Sequence, residues 1–403
     1  MLLTRLPKNQ AVTTLSYLRL IPTLVEYADR FRQLDPLDFK IIKAMHKIGI
    51  SNLSKLAKIV GAPQQTISYH VKRFDEQDLV RFRALIDEAK LGLKSYVVMG
   101  TTEIRKEDVS SRALTCFPLW RYLAIVDGWT RGSYVRYAIP QDRERDLKAF
   151  LNELKKRELV SGFEIFPTTS PTYPLLNLDF YLEKKGISIF DWDRWVKDLE
   201  NFPEKNVIEP VSYEKARFDL YDLLILRCLE LNARTTQREI VAQMAKILKE
   251  KEYDRFIPLV SRRLNENIIP QGLIRGNRVY LFPNPGPTVL YFMYNFVFQN
   301  NRSLRKFATA LDKLPFNTGY EKILKRDELF VRFIMPTHEF SSMRKAVKDL
   351  AETGYLKDAH LILGNLMRET WDNVEIHQMY VDGTWNFSYG MAMEMLEKTL
   401  VHK

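Results

Sequence analysis

Cysteine and histidine are scarce in this chain, at 2 and 6 of 403 residues. Cys116 and Cys228 lie far apart, each beside apolar residues. They can build neither a disulfide framework nor a cysteine-based zinc site, and both read as buried small apolar side chains. There is no HExxH element, no phosphate-cradling glycine motif and no coherent carboxylate or Cys/His constellation. The expectation is a chain with no catalytic residue, no metal site and no cofactor, and hence not an enzyme. Long apolar runs are also missing. The opening MLLTRLPKNQAVTTLSYLRLIPTLVEYADRF lacks the unbroken apolar stretch of a signal peptide, and no later segment is long enough to cross a bilayer. This predicts a soluble, cytoplasmic protein with no membrane partner. Residues 17–32 read as an amphipathic helix that Pro22 restricts to the part after it.

Positive charge is what the chain has in excess: Lys and Arg number 61 against 50 Asp and Glu, a formal net charge of +11. That balance favours a polyanionic partner, double-stranded DNA first, through release of counterions from phosphates. A length of 403 residues exceeds what one core normally serves, and 46% hydrophobic residues suffice for several.

LDPLDFKIIKAMHKIG places Leu37, Ile41, Ile42, Met45 and Ile48 at helical spacing after an acidic, proline-containing start. NLSKLAKIV reads as a second short helix. Gly61, Ala62 and Pro63 then break the chain before QQTISYHVKRFDEQD, whose Ile67, Val71 and Phe74 turn inward. This is a helix-turn-helix, with Gln64, Gln65, Ser68, Tyr69 and Lys72 on the polar face that would enter the major groove. His70 lies within that helix with no metal or nucleophile pattern around it and reads as a groove or packing residue. In LVRFRALI, Arg81 and Arg83 alternate with apolar residues on a short winged strand pair and would approach phosphates.

RFDLYDLLILRCLELNARTTQREIVAQMAK repeats this organisation, again with Asp-x-x-Asp before an apolar helical run, which indicates an internal duplication. Its middle helix extends through AKILKEKEY. The third helix, RFIPLVSRRLNENI, turns Ile257, Val260 and Leu264 inward and offers Arg255, Ser261, Arg262 and Asn265, while GLIRGNRVYLF gives a wing with Arg275 and Arg278. Arg and Asn suit base edges, phosphates or a protein partner alike.

After each unit the pattern changes to strand, helix, strand, strand, helix, strand, the ferredoxin-like βαββαβ order. The predicted class is α+β: an N-terminal helical extension (1–33), a first winged helix-turn-helix (34–90), a first ferredoxin-like domain (91–170), and a linker with a helix (171–216). A second winged helix-turn-helix (217–284), a second ferredoxin-like domain (285–364) and a C-terminal extension (365–403) complete it. In the linker, Ile189, Trp192, Trp195 and Leu199 form an apolar stripe expected to lock the halves together.

The segments Leu34–Ile42, Thr66–Val80, Phe218–Val241 and Val260–Ile274 resemble the DNA-reading unit of the Lrp/AsnC family of regulators, here as a tandem, diverged form of archaeal type. The resemblance implies a sequence-specific regulator of transcription. Its α+β domains would pair as a homodimer or as a pseudo-dimer within one chain, and could sense a small-molecule effector. VDGWTRGSY resembles the family's sensory loop, giving Asp127, Gly128 and Gly132 as effector-binding candidates, although Trp129 crowds the site. ILKRDELF, at the matching place in the second half, lacks glycine. An architectural or transcription-machinery-associated protein with weak sequence preference is the alternative, and the expected location is cytoplasmic and nucleoid-associated.

Overall fold

The computed structural model describes residues 33–48, 53–77, 79–175, 177–182, 189–205, 216–249, 256–281, 289–364, 370–371 and 376–401. The helix expected within 17–32, and Arg255, lie outside these residues.

The first helical unit comprises α1 (Pro36–Ile48), α2 (Leu53–Val60) and α3 (Gln64–Glu76), followed by strand β1 (Arg81–Ile86). The Asp-x-x-Asp element starts α1 by reciprocal capping: the amide of Asp35 donates to Asp38 (2.8 Å) and that of Asp38 donates to Asp35 (2.8 Å). The buried Asp38 carboxylate also bonds His70 Nδ1 on α3 at 2.6 Å and the guanidinium of Arg73. His70 is thus a buried packing residue that ties the third helix to the first. In the second unit, α7 (Leu220–Leu231) repeats the device with Asp219 and Asp222, and Asp222 accepts from Asn267 at 2.7 Å.

Strands β2 (Leu93–Thr101), β3 (Trp120–Gly128), β4 (Gly132–Pro140) and β5 (Gly162–Thr168) alternate with α4 (Glu107–Leu114) and α5 (Glu144–Lys156) in the order expected from the sequence. A short helix α6 (Trp192–Asp198) leads towards α7. It is followed by α8 (Gln237–Leu248), α9 (Phe256–Arg262) with a π-helical continuation over Arg263–Ile268, and β6 (Ile274–Tyr280). The extension of the middle helix predicted over AKILKEKEY stops at Leu248, because Lys249 adopts a left-handed conformation (φ 57°).

The second α+β set is β7 (Val289–Phe298), α10 (Asn301–Leu311), β8 (Asn317–Ile323), β9 (Glu328–Pro336), α11 (Phe340–Glu352) and β10 (Leu356–Gly364). The two sets make one sheet, ordered β10-β7-β9-β8-β5-β2-β4-β3, and a β10–β3 pairing closes it. Ile362 lies opposite Gly128 at one seam and Thr168 opposite Ile323 at the other. Helices cover the outside, while Val97, Met99, Tyr122, Tyr134, Phe166, Tyr291, Met293 and Phe330 fill the inside. Strands covered on both faces read as near-continuous apolar runs, and β4 is buried along its whole length. The matching segments YVRYAIP and FVRFIMP place Arg136 and Arg332 at the same point of β4 and β9.

Three further outcomes differ from the sequence reading. The first wing does not fold on itself: β1 pairs antiparallel with β6 of the other unit, Arg83 opposite Arg278. The chain turns straight from Ile86 through residues 87–92 into β2, which leaves no local return strand. Secondly, Trp192 and Trp195 pack on the second α+β set rather than between halves. Trp192 Nε1 donates to Glu339 at 2.8 Å and Trp195 Nε1 to the Ala310 carbonyl at 3.2 Å, while Ile189 is 65% exposed. Thirdly, it is a shared core that joins the halves, running from the first α+β set into α7 and α8 and closed by Phe387, Ala392 and Leu396 around the C-terminal helix α12 (Tyr389–Val401). Both cysteines are buried.

Candidate active site

A cleft of about 70 Å³, open to solvent at its mouth, lies between the β1–β6 pair and strands β3 and β4. Arg83, Arg121, Arg136, Arg275 and Arg278 line it, against two carboxylates, Glu88 and Glu230. Glu88 accepts from Arg136 Nη1 at 2.8 and 3.0 Å and pairs with Arg121 Nε at 3.3 Å. Burial alone would push the Glu88 carboxyl up, but the adjoining guanidiniums of Arg136 and Arg121 overcome it and hold the group at about 2. Arg121 also reaches Glu230 on α7, and Arg275 donates to the Pro171 carbonyl.

The pairing is incomplete. Arg121 and Arg136, 7% and 5% exposed, each keep one buried nitrogen with no acceptor, Nη1 of the former and Nε of the latter; Glu230 Oε2 is likewise unpartnered. A buried donor without an acceptor costs on the order of 1–3 kcal/mol, so the cleft favours an occupant carrying carboxylate or phosphate oxygens. At its mouth Arg83 lies 5.0 Å from the centre of the Tyr280 ring, and Arg278 stacks between Tyr280 (4.2 Å) and Tyr173 (3.9 Å). Tyr173 is buried, and its hydroxyl accepts from Arg332 Nη2 at 3.3 Å. Burial opposes ionisation of this phenol, yet Arg332, Arg278 and Arg136 outweigh it and hold Tyr173 below its ordinary value.

The residues expected to meet DNA fall into two groups. Gln64, Gln65, Ser68, Tyr69 and Lys72 share an exposed face of α3, with Tyr69 64% exposed. In the second unit Arg262 and Asn265 are exposed and Ser261 is half-buried, its carbonyl accepting from Asn265. Arg81, Arg83, Arg275 and Arg278 stand on the paired strands, the last three at the cleft. Of the effector candidates, Asp127 is exposed on the β3–β4 hairpin. The two glycines have packing reasons of their own: a Cβ on Gly128 (φ +103°) would meet the Leu361 carbonyl oxygen at 2.7 Å, and one on Gly132 (φ +146°) would meet that of Gly100 at 2.0 Å. Trp129 stacks on His360 at 4.6 Å.

Glu88, Arg121, Arg136, Tyr173 and Glu230 escape a sequence reading. The available signal is an arginine at an inward position of the apolar run YVRYAIP, repeated in FVRFIMP.

Neither a family model nor a curated protein matches the sequence. Solved structures do match its fold. Over most of its length the chain is similar in fold to siroheme decarboxylase NirDL. The likeness covers 91% of this chain and 99% of that one, at 11% identity and a TM-score of 0.51. The same enzyme in complex with an iron-uroporphyrin III analogue matches over the same shares, at 13% identity and a TM-score of 0.51. Regulators of the AsnC/Lrp family match about a third of the chain. One is the AsnC family transcriptional regulator from Agrobacterium tumefaciens, at 22% identity, 36% of this chain, 99% of that one and a TM-score of 0.29. The first of these likenesses overturns the expectation of a non-enzyme, because the fold shared over 91% of this chain is one that an enzyme also has. Missing motifs excluded only those chemistries that such motifs serve. Among the described residues, no helix is long and apolar enough to cross a membrane.

Proposed function

We propose that this chain is a decarboxylase acting on a carboxylate-rich tetrapyrrole of the siroheme type, which binds in the arginine cleft. The observation that carries the reading is the buried excess of guanidinium groups, with Arg121 Nη1 and Arg136 Nε left without acceptors. Carboxylates are the planar, two-oxygen partners that arginine forks fit best, and the likeness over most of the chain to a siroheme decarboxylase supplies the substrate class. In this reading Arg83, Arg275 and Arg278 hold substrate carboxylates at the mouth, Arg121 and Arg136 hold one inside, and Glu88 fixes both inner guanidiniums. The chain is then a diverged tandem relative of the Lrp/AsnC regulators, with two winged helix-turn-helix units alternating with two ferredoxin-like domains within the boundaries given above, and its halves act as a pseudo-dimer.

The test is direct. The purified chain is titrated with iron-uroporphyrin III and followed by its visible absorption band, then incubated with siroheme while mass spectrometry follows the loss of carboxyl groups. Binding that weakens at least tenfold in Arg121→Gln, with successive losses of CO2 in the unaltered chain, is the expected result. Absence of both sinks the reading.

A second reading, regulation through double-stranded DNA, rests on the polar face of α3, where Gln64, Gln65, Ser68, Tyr69 and Lys72 are all exposed. Arg262 and Asn265 would add contacts from the second unit, and Asp127, Gly128 and Gly132 an effector site. The two readings are compatible, since α3 is no part of the cleft.

A further inference from the structure

We propose that Tyr173 is the proton donor of the arginine cleft: it supplies the hydrogen that replaces a departing carboxylate on the bound substrate. The proposal rests on the decarboxylase reading and names an acid for it. Loss of CO2 from a side-chain acetate breaks the bond between the methylene and the carboxyl carbon. The electron pair stays with the methylene, delocalised into the ring, and one proton must reach that carbon to give a methyl group. No oxidant or reductant enters the balance. Four titratable acids line the cleft, namely Glu88, Glu230, Tyr173 and Tyr280.

Glu88 does not serve, because its pairs with Arg136 and Arg121 keep it ionised. Glu230 is paired with Arg121, and Tyr280 lies half-exposed beneath Arg83 and Arg278. Tyr173 differs from all three. It is 9% exposed, and its ring sits between the Arg278 guanidinium at 3.9 Å and the Arg332 guanidinium at 5.3 Å. Arg332 Nη2 donates to its oxygen, so that contact leaves the phenolic proton free to be given away. Once the proton has left, the phenolate lies among cations that are already in place and need not reorganise. Solvent entering at the mouth returns the proton.

The ring is also held in position. A Cβ on Gly319 would lie 2.9 Å from Tyr173 Cδ1 and 3.0 Å from Cε1, so only glycine leaves the seat open. The main chain of Thr172 pairs with Tyr320 beside it, fixing the segment that carries the ring.

Two variants and two readouts test this. Tyr173→Phe keeps the ring and removes the proton; Gly319→Ala keeps the proton and displaces the ring. Each is expected to bind iron-uroporphyrin III within about threefold of the unaltered chain and to lose about 100-fold or more in the rate of siroheme decarboxylation, the scale of positioned proton transfer. Turnover by Tyr173→Phe within threefold of the unaltered chain would overturn the proposal. Independently of turnover, the ultraviolet difference between the unaltered chain and Tyr173→Phe, followed from pH 6 to 11, should show one phenolate appearing below the ordinary tyrosine range of about 10. If the unaltered chain releases no CO2, the decarboxylase reading falls. The titration then decides whether Tyr173 is an acid of this cleft, and a phenol titrating at or above the ordinary value overturns that too.

Discussion

Arg83 and Arg278 stand directly opposite one another across β1 and β6, like charges on strands contributed by two different units. Opposed cations across a strand pair repel, by a few tenths of a kcal/mol up to about 1 kcal/mol. The Tyr280 ring, which both approach, offsets part of this. Replacing Arg83 by Gln should therefore raise stability by less than that amount in urea denaturation at low ionic strength, and by nothing measurable at about 1 M salt, where screening is nearly complete. The same change should weaken iron-uroporphyrin III binding about tenfold. A gain in stability without a loss of affinity would separate the wing pair from the ligand.

Glu88 is the anion on which the inner cleft depends. Its carboxyl ionises at about 2 in the folded chain against an ordinary 4.5, so its contribution is complete above pH 4.5 and is lost as pH falls towards 2. Glu88→Gln leaves two buried guanidiniums short of their counter-charge and should cost roughly 3–5 kcal/mol at pH 7. The fall in stability between pH 4.5 and 2 should become shallower than in the unaltered chain, as read by denaturation at a series of pH values.

Asp38 and Asp222 predict a matched pair of effects. Each side chain accepts from the backbone amide of the capping aspartate three residues earlier and reaches a basic or amide partner on the third helix of its unit. Alanine at either position loses the return half of the capping box and leaves buried donors unmet, at a cost of about 1–3 kcal/mol. Because the sites belong to separate units and share no partner, the double variant should be additive within about 0.5 kcal/mol. Thermal unfolding of the four proteins checks this.

Trp192 fills the helical face of the second α+β set, stacked on Phe316 at 5.9 Å. Truncation to alanine should cost about 3–5 kcal/mol and leave tetrapyrrole affinity unchanged, since Trp192 belongs to a core that contributes no wall of the cleft. Parallel denaturation and absorption titrations distinguish this from a role at the site.

The exposed α3 face makes its own prediction. If it meets DNA, Lys72→Gln should lower the slope of log affinity against log salt by about one, whereas Tyr69→Ala should weaken binding without moving the slope. Fluorescence anisotropy with a duplex across a range of salt reads both, and an unaltered chain that binds no duplex removes the regulatory reading.

Much of the scaffold was legible because its signals are local. Asp35 and Asp38, repeated as Asp219 and Asp222, announce two helix starts, and continuous apolar runs mark strands covered on both faces. The cleft was not legible, because Glu88, Arg121, Arg136, Tyr173, Glu230 and Arg275 come from separate stretches of chain that meet only when β1 pairs with β6. Alternation along RFRALI shows which residues share a face, but not that the facing strand lies about 190 residues away. Arg83 and Arg278 therefore read as the charges of two separate wings. Trp192 failed for a related reason: an apolar stripe states that something must be covered, and leaves open which surface covers it.

The sheet closed at both seams has a genetic consequence. An assembly of two identical chains must carry every residue twice, so a substitution that opens a pocket on one side also alters the other. Joined in one polypeptide, the halves are free to specialise. Beside the equivalent arginines Arg136 and Arg332, the residue preceding their strand neighbours is Arg121 in one half and Thr318 in the other. Arg121 and Arg136 of the first half line the cationic cleft, and Gly319 and Arg332 of the other half form the wall that holds its tyrosine.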